Sequence, residues 1–206
     1  FDFIHKKKII NFFYRKKINL EYIIDVGAHY GETINLFLKY FKPKKIYSFE
    51  ASPQNFIILK KNYSKLDQNL KRIVQIENIA LGKNNRIQSF NQTHESSSST
   101  FNKINTKSNY FSRKKFFLGF SQDKDFYKKI ELKMISLDSY FSEYNLNKID
   151  LLKIDTEGFE YEVLQGLKKN IKNVKYILFE HHYDDMIKKN YKFKDIIKLL
   201  KHNNFK

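Results

Sequence analysis

The sequence predicts an α/β fold, a doubly wound Rossmann-like sheet of largely parallel strands with helices on both faces. Three observations predict it. Short, continuously apolar runs such as "YIIDV" and "IDLLKID" alternate with stretches of helical spacing. Such runs fit strands buried on both faces, which is the condition of a parallel sheet. A glycine-bearing corner, "GAHYG", follows the first of them.

Taken in order, residues 1–19 read as a basic, aromatic helical extension covering a sheet edge. "YIIDV" (22–26) is the first strand, and the helix after it carries Ile34, Phe37, Leu38 and Phe41 on one face. "KIYSFE" (45–50) is the second strand, with Ser52 and Pro53 as the N-cap and first turn of the next helix. "RIVQIENIAL" (72–81) reads as one strand, and "RIQSF" (86–90) as a fourth or as an extension around a bulge. Between Asn91 and about Lys129 the periodicity dissolves, so 91–130 is expected to be a substrate-side insertion or lid. "ELKMISLDSYF" is then a strand leading into a short helix, "IDLLKID" (149–155) a buried strand, and Phe159–Leu167 a helix. "VKYILFEHH" (174–182) is a further strand, and residues 193–204 a final amphipathic helix.

With 206 residues the chain is expected to be one domain, and 41% hydrophobic residues separate it from disordered chains. A net charge of +17 points toward anionic partners, yet the lysines are scattered through every segment, a pattern of codon bias more than of a nucleic-acid groove. No specific nucleic acid is therefore expected. The basic aromatic segments at 5–17 and 110–129 leave weak membrane-surface association open. No apolar run is long enough to span a bilayer and no secretory signal is visible, so the cytoplasm is the expected compartment. With no cysteine there is neither a disulfide framework nor a cysteine metal site. The first residue is Phe, and the last, "KHNNFK", lead toward a strand, which is expected of a fragment cut at both ends.

In such sheets a ligand sits beyond the carboxyl ends of the strands, where strand order reverses. Gly27 and Gly31 give that corner a bare backbone, although the middle glycine of the dinucleotide pattern is missing. Glu50 falls 25 positions after Asp25 at the end of the second strand, where a carboxylate can accept hydrogen bonds from both hydroxyls of a ribose. Glu32 stands where a dinucleotide would rest its phosphates on the helix N-terminus. Its charge repels phosphate and tolerates a cationic sulfonium.

"IDVGAHYGE", "YSFEASPQNF", "NIALG", "SLDSY", "DLLKIDTEGFEYEVLQGL" and "YILFEHH", in that order over residues 20 to 182, resemble the FkbM-type methyltransferases. The resemblance implies a class I fold binding S-adenosylmethionine, with Asp25, Gly27, Ala28, His29 and Gly31 at its methionine end. It further implies Glu50 and Ala51 at the ribose, and Asn78, Ile79 and Ala80 at the adenine. It implies O-methylation of a saccharide, glycolipid or related metabolite, a small-molecule or glycan acceptor in polysaccharide biosynthesis. Class I sheets finish with an antiparallel hairpin, which this sequence does not reach.

Methyl transfer from a sulfonium needs the acceptor oxygen held in line, and a hydroxyl needs somewhere to send its proton. Asp155, at the end of "IDLLKID", is the expected base, with Lys153 on the same strand face shaping its charge and Glu157 facing substrate. Glu180 and His181 or His182 would flank the same mouth. A metal held by Asp155, Glu180 and a histidine is chemically possible, but no tight spacing supports it, and no metal is expected. His94 is a weaker candidate on the substrate side. Two further readings are a nucleic acid (RNA) methyltransferase and a non-catalytic S-adenosylmethionine-binding module.

Overall fold

The computed structural model describes residues 3–122, 126–181, 183 and 185–206. Its main sheet contains β1 (Tyr22–Val26), β2 (Lys45–Phe49), β3 (Val74–Glu77), β8 (Ile149–Ile154) and β9 (Val174–Phe179) in the order β3-β2-β1-β8-β9. Every pairing within it is parallel.

Alternation along the central strands divides the core into two layers. Ile23, Ile46 and Leu151 face α1 (Phe3–Arg15), α2 (Glu32–Phe41) and α3 (Pro53–Ser64), packing against Phe13, Phe37 and Leu59. Ile24, Leu152 and Ile154 face the other way, toward α6 (Leu137–Glu143), α7 (Glu160–Gln165) and α8 (Phe193–His202), where Phe141, Leu164 and Ile196 meet them. All six residues of β8 are buried, as a central parallel strand covered on both faces requires. Helix α3 starts on the expected signature, with the Ser52 hydroxyl accepting from the Asn55 N–H and Pro53 in the first turn.

Two expectations from the sequence are corrected. The single strand over 72–81 is in fact the end of α4 (Gln68–Ile73), then β3, a break at Asn78 and Ile79, and the short β4 (Ala80–Leu81) in a different sheet. Local chemistry explains the division. Asp67 caps α4 by accepting from the Leu70 N–H, and the Asn78 amide turns inward to donate to the Glu50 carbonyl at 2.8 Å.

The second concerns only the missing periodicity of 91–130, a stretch that does hold regular elements. β5 (Arg86–Thr93) runs antiparallel to β7 (Tyr127–Ile135), and with β4 they form a three-stranded sheet. β6 (Lys103–Ile104) pairs with β10 (Ile187–Lys188). Beside them α5 (Asn109–Phe117) inserts Phe111 into a small core with Ile104, Phe126, Met186 and Ile187.

Candidate active site

Strand order reverses between β1 and β8, and a cavity of about 360 Å³ opens at the carboxyl ends of these strands. The size suits a small organic ligand. Its floor is the corner after β1. Gly27 has φ +79°, and its N–H and that of Ala28 both donate to the Phe49 carbonyl at 2.9 Å. A Cβ at position 27 would lie 1.8 Å from the Asp155 carbonyl oxygen, so the β1 and β8 ends touch through glycine's missing side chain.

Glu50 closes one side. It is 6% exposed, one carboxylate oxygen accepting from the His29 N–H at 2.8 Å and the other from the Ser52 N–H at 2.9 Å. Burial pushes its carboxyl up to about 7, against the pull of those two amides. Each oxygen retains acceptor capacity beyond its amide. Ala51 and Ile79 also line the cavity.

His29, at φ +50°, stacks on Tyr30 with ring centroids 3.8 Å apart and brings Nδ1 to 3.0 Å from the Glu32 carboxylate. The second Glu32 oxygen accepts from the Tyr30 N–H. Burial acts to raise the Glu32 carboxyl, but these partners hold it below the usual range. A carboxylate thus occupies the amide groups that an incoming phosphate would use. The His29 Nε2 is buried and has no hydrogen-bond partner among the described residues.

Opposite stands the end of β8. Lys153 is 1% exposed; its ammonium donates to the Gly27 carbonyl at 2.8 Å and lies 3.0 Å from Asp25 and 3.5 Å from Asp155. Burial pulls its pKa down, and the Asp25 and Asp155 carboxylates outweigh that and hold it raised. Asp155 and Glu157 line the cavity together with Glu180. Burial first, and then the neighbouring Asp155, push the Glu157 carboxyl up to about 9, so it is protonated at neutral pH.

The loop that presents Asp155 and Glu157 is held by residues whose role the sequence did not disclose. Glu160, fully buried, accepts from the Thr156 and Gly158 N–H groups with one oxygen and from the Tyr191 hydroxyl at 2.6 Å with the other. Thr100 donates to the Glu157 carbonyl, fixing that residue in the left-handed region at φ +51°. The serine-rich segment forms a roof: Ser96, Ser97 and Ser99 line the cavity, Asn55 donates to the Ser96 carbonyl, and Lys114 of α5 reaches Ser98 and pairs with Glu95 at 2.7 Å.

The structure therefore brings together Gly27, Ala28, His29, Glu50, Ala51, Ile79, Lys153, Asp155 and Glu157 around one cavity. Asp25 lies inside the sheet behind it, fully buried against Lys153. Gly31 caps α2 on the side of Leu59, Asn78 is spent on the backbone of Glu50 and Ala51, and Ala80 belongs to the core. His181 packs beside the rings of Tyr183 and Phe193, and His182 lies outside the described residues. His94 is exposed, its ring 5.9 Å from that of Phe120. Among the described residues, no group of three or more His, Asp or Glu side chains is placed to hold a metal ion, and no helix is long and apolar enough to cross a membrane.

Comparison with solved structures gives the methyltransferase domain of bacterial-CtHen1-CN, with a TM-score of 0.51 and 10% identity over 98% of this chain and 85% of that one. This likeness concerns the fold. A methyltransferase FkbM from Methylobacillus flagellatus KT matches with a TM-score of 0.48 and 15% identity over 75% of this chain. The chain spans only 30% of that protein's length. No curated protein matches the sequence. The family model for the methyltransferase FkbM domain matches residues 25–206, from the buried aspartate of β1 through the last helix, and the chain belongs to the FkbM methyltransferase family.

Proposed function

We propose that this chain is an S-adenosylmethionine-dependent O-methyltransferase acting on a hydroxyl of a saccharide, glycolipid or related metabolite. The observation that carries the cofactor assignment is Glu50, a buried carboxylate oriented by two backbone amides with acceptor capacity left for a ribose diol. The cavity wall fits the rest of that ligand. Among its described residues are the carboxyl groups of Glu32, Glu50, Asp155 and Glu180, besides the protonated Glu157, against the single cation Lys153. Such a wall favours a ligand with sulfonium and ammonium charges over one with a pyrophosphate. The orphaned His29 Nε2 offers a further hydrogen-bonding group. When bound, the cofactor supplies an electrophilic methyl group for in-line displacement.

The remaining tasks fall to the chain's own side chains. Asp155, on the wall and 3.5 Å from the Lys153 ammonium, is the group to accept the hydroxyl proton. Glu157, neutral at pH 7, can donate a hydrogen bond to the acceptor. Two adjacent carboxyl groups in unlike environments thus divide acceptor and donor duties. The glycan class rests on family resemblance and on the polar serine roof.

Calorimetric titration with S-adenosylhomocysteine, beside NAD, tests the cofactor. Wild-type protein is expected to bind only the first, and Glu50→Ala to weaken binding about tenfold or more, the loss of a charge-assisted hydrogen bond. No binding by a folded chain, or an unchanged Glu50→Ala affinity, defeats the assignment. The same titration across pH has a definite sign. The ligand hydroxyls need Glu50 as a carboxylate, so affinity should rise about tenfold between pH 6 and 8 around its value near 7. Stability of the ligand-free protein should move oppositely. Glu50 binds its proton more tightly folded than unfolded, so its stabilising contribution is lost as pH rises from about 4.5 through 7. A flat affinity profile would remove Glu50 from the ligand.

A further inference from the structure

The last turn of α5 carries three consecutive large apolar residues in solvent: Phe116 is 81% exposed, Phe117 83% and Leu118 44%. Scattered exposed apolar residues are ordinary, whereas a contiguous cluster marks an interaction surface. The fold holds this cluster outward. Phe111 is the helix's buried anchor, its ring edge-on to Phe126 at 4.9 Å, and at 100° per residue Phe116 and Phe117 stand well over 100° away from it around the helix. Burying them would expose Phe111. The helix also ends in a fixed turn: the Gly119 N–H bonds to the Phe116 carbonyl and the Phe120 N–H to the Lys115 carbonyl, with Gly119 at φ +74°. The tip is therefore built.

Its surroundings specify the partner. Residues 103–122 contain five basic side chains and no acidic one, Arg113 being exposed three positions before the cluster and Lys107 exposed just ahead of the helix. A second copy of this chain, with net charge +17, would be repelled. A single-stranded nucleic acid needs flat rings on which bases stack. Here the rings of Phe116 and Phe117 meet at 70°, and Leu118 has no π face. Exposed apolar side chains at the end of a basic segment match an anionic lipid surface, whose phosphates take the cations while its acyl boundary takes the rings.

We propose that the α5 tip, Phe116, Phe117 and Leu118 with Arg113 and Lys107, docks the protein on an anionic lipid membrane. Lys114 of the same helix holds the serine roof of the cavity through Glu95 and Ser98, so docking brings the rim of the site to the bilayer. The acceptor is then a hydroxyl on a lipid-linked molecule, a consequence that rests on the methyltransferase reading above.

The test is co-sedimentation of the full chain with vesicles of phosphatidylcholine and phosphatidylglycerol in equal parts, with pure phosphatidylcholine vesicles, and with oligouridylate in a parallel binding assay. The wild-type protein should sediment with the mixed vesicles alone. Replacing Phe116→Ser and Phe117→Ser together should weaken partition at least about tenfold. Lys107→Ser with Arg113→Ser should do the same at low salt. Wild-type protein that stays in the supernatant overturns the proposal, as does a double serine variant that sediments like wild type, since net charge alone would then suffice. Oligouridylate binding that depends on Phe116 and Phe117 more than vesicle binding does would give the surface to nucleic acid and overturn it as well. S-adenosylhomocysteine titration of the same samples separates the two readings. Vesicle binding without nucleoside binding removes the cofactor assignment only.

Discussion

Gly27→Ala should cost the protein its ligand and much of its stability. The added methyl group would sit 1.8 Å from the Asp155 carbonyl oxygen, and that obstacle is backbone, with no rotamer that yields. The residue also stands at φ +79°, where an L side chain costs about 1–2 kcal/mol. Relief requires the β1 and β8 ends to part, which breaks the Asp155 N–H bond to the Val26 carbonyl and displaces the Gly27 and Ala28 amides from Phe49. We expect a loss of about 3–5 kcal/mol, within the range of strained-backbone substitutions. For a chain of this size each kcal/mol lowers Tm by about 2–4 °C, so thermal unfolding should shift by roughly 10 °C. S-adenosylhomocysteine affinity should fall about a hundredfold, equivalent to ~2.7 kcal/mol. A variant with wild-type Tm and Kd would show that this contact does not govern the corner.

The second large effect belongs to Lys153→Met. Removing the ammonium leaves Asp25, at 0% exposure, with a buried charge and no cation within 4 Å among the described residues. Breaking a buried pair from one side costs about 3–5 kcal/mol, far more than the pair contributes over an apolar replacement. The partner variant gives the argument its sharpness. Asp25→Asn in the Lys153→Met background removes the stranded charge and should restore more than half of the loss in guanidinium unfolding. A coupling energy near zero in the four-member cycle would show that the two groups act independently.

These two residues also mark how far the sequence could be read. β1, β2 and β8 were legible because continuous apolar runs of strand length have few other uses, and Glu50 because a strand end followed by a Ser-Pro helix start fixes where its carboxylate emerges. Lys153 was read as an electrostatic neighbour of Asp155. Its ion pair with Asp25 and its bond to the Gly27 carbonyl, 126 positions away, both reach back to the end of β1, and no local pattern shows them. Glu160 stands in the first turn of α7, where an acid needs no further role than to favour the helix dipole. Its work on Thr156, Gly158 and Tyr191 depends on a hydroxyl 31 positions away. The far end of β5 escaped notice because Asn91, Gln92 and Thr93 are polar and yet buried beneath the serine roof, which inverts the alternation expected of a half-exposed strand.

The pairing of β1 with β8 has a consequence for how the protein is made. Tyr22–Val26 leaves the ribosome well before its neighbour Ile149–Ile154, which follows more than a hundred residues later in the chain. Until that strand arrives, the Gly27 corner lacks one wall and Asp25 lacks its counter-ion. Closing so long a loop is slow, and it comes after helices and the β1–β2 unit can already have formed. Ligand competence is thus an end-of-folding property in this chain. A nascent chain stalled short of Lys153 should hold its early helices while showing no affinity for nucleoside.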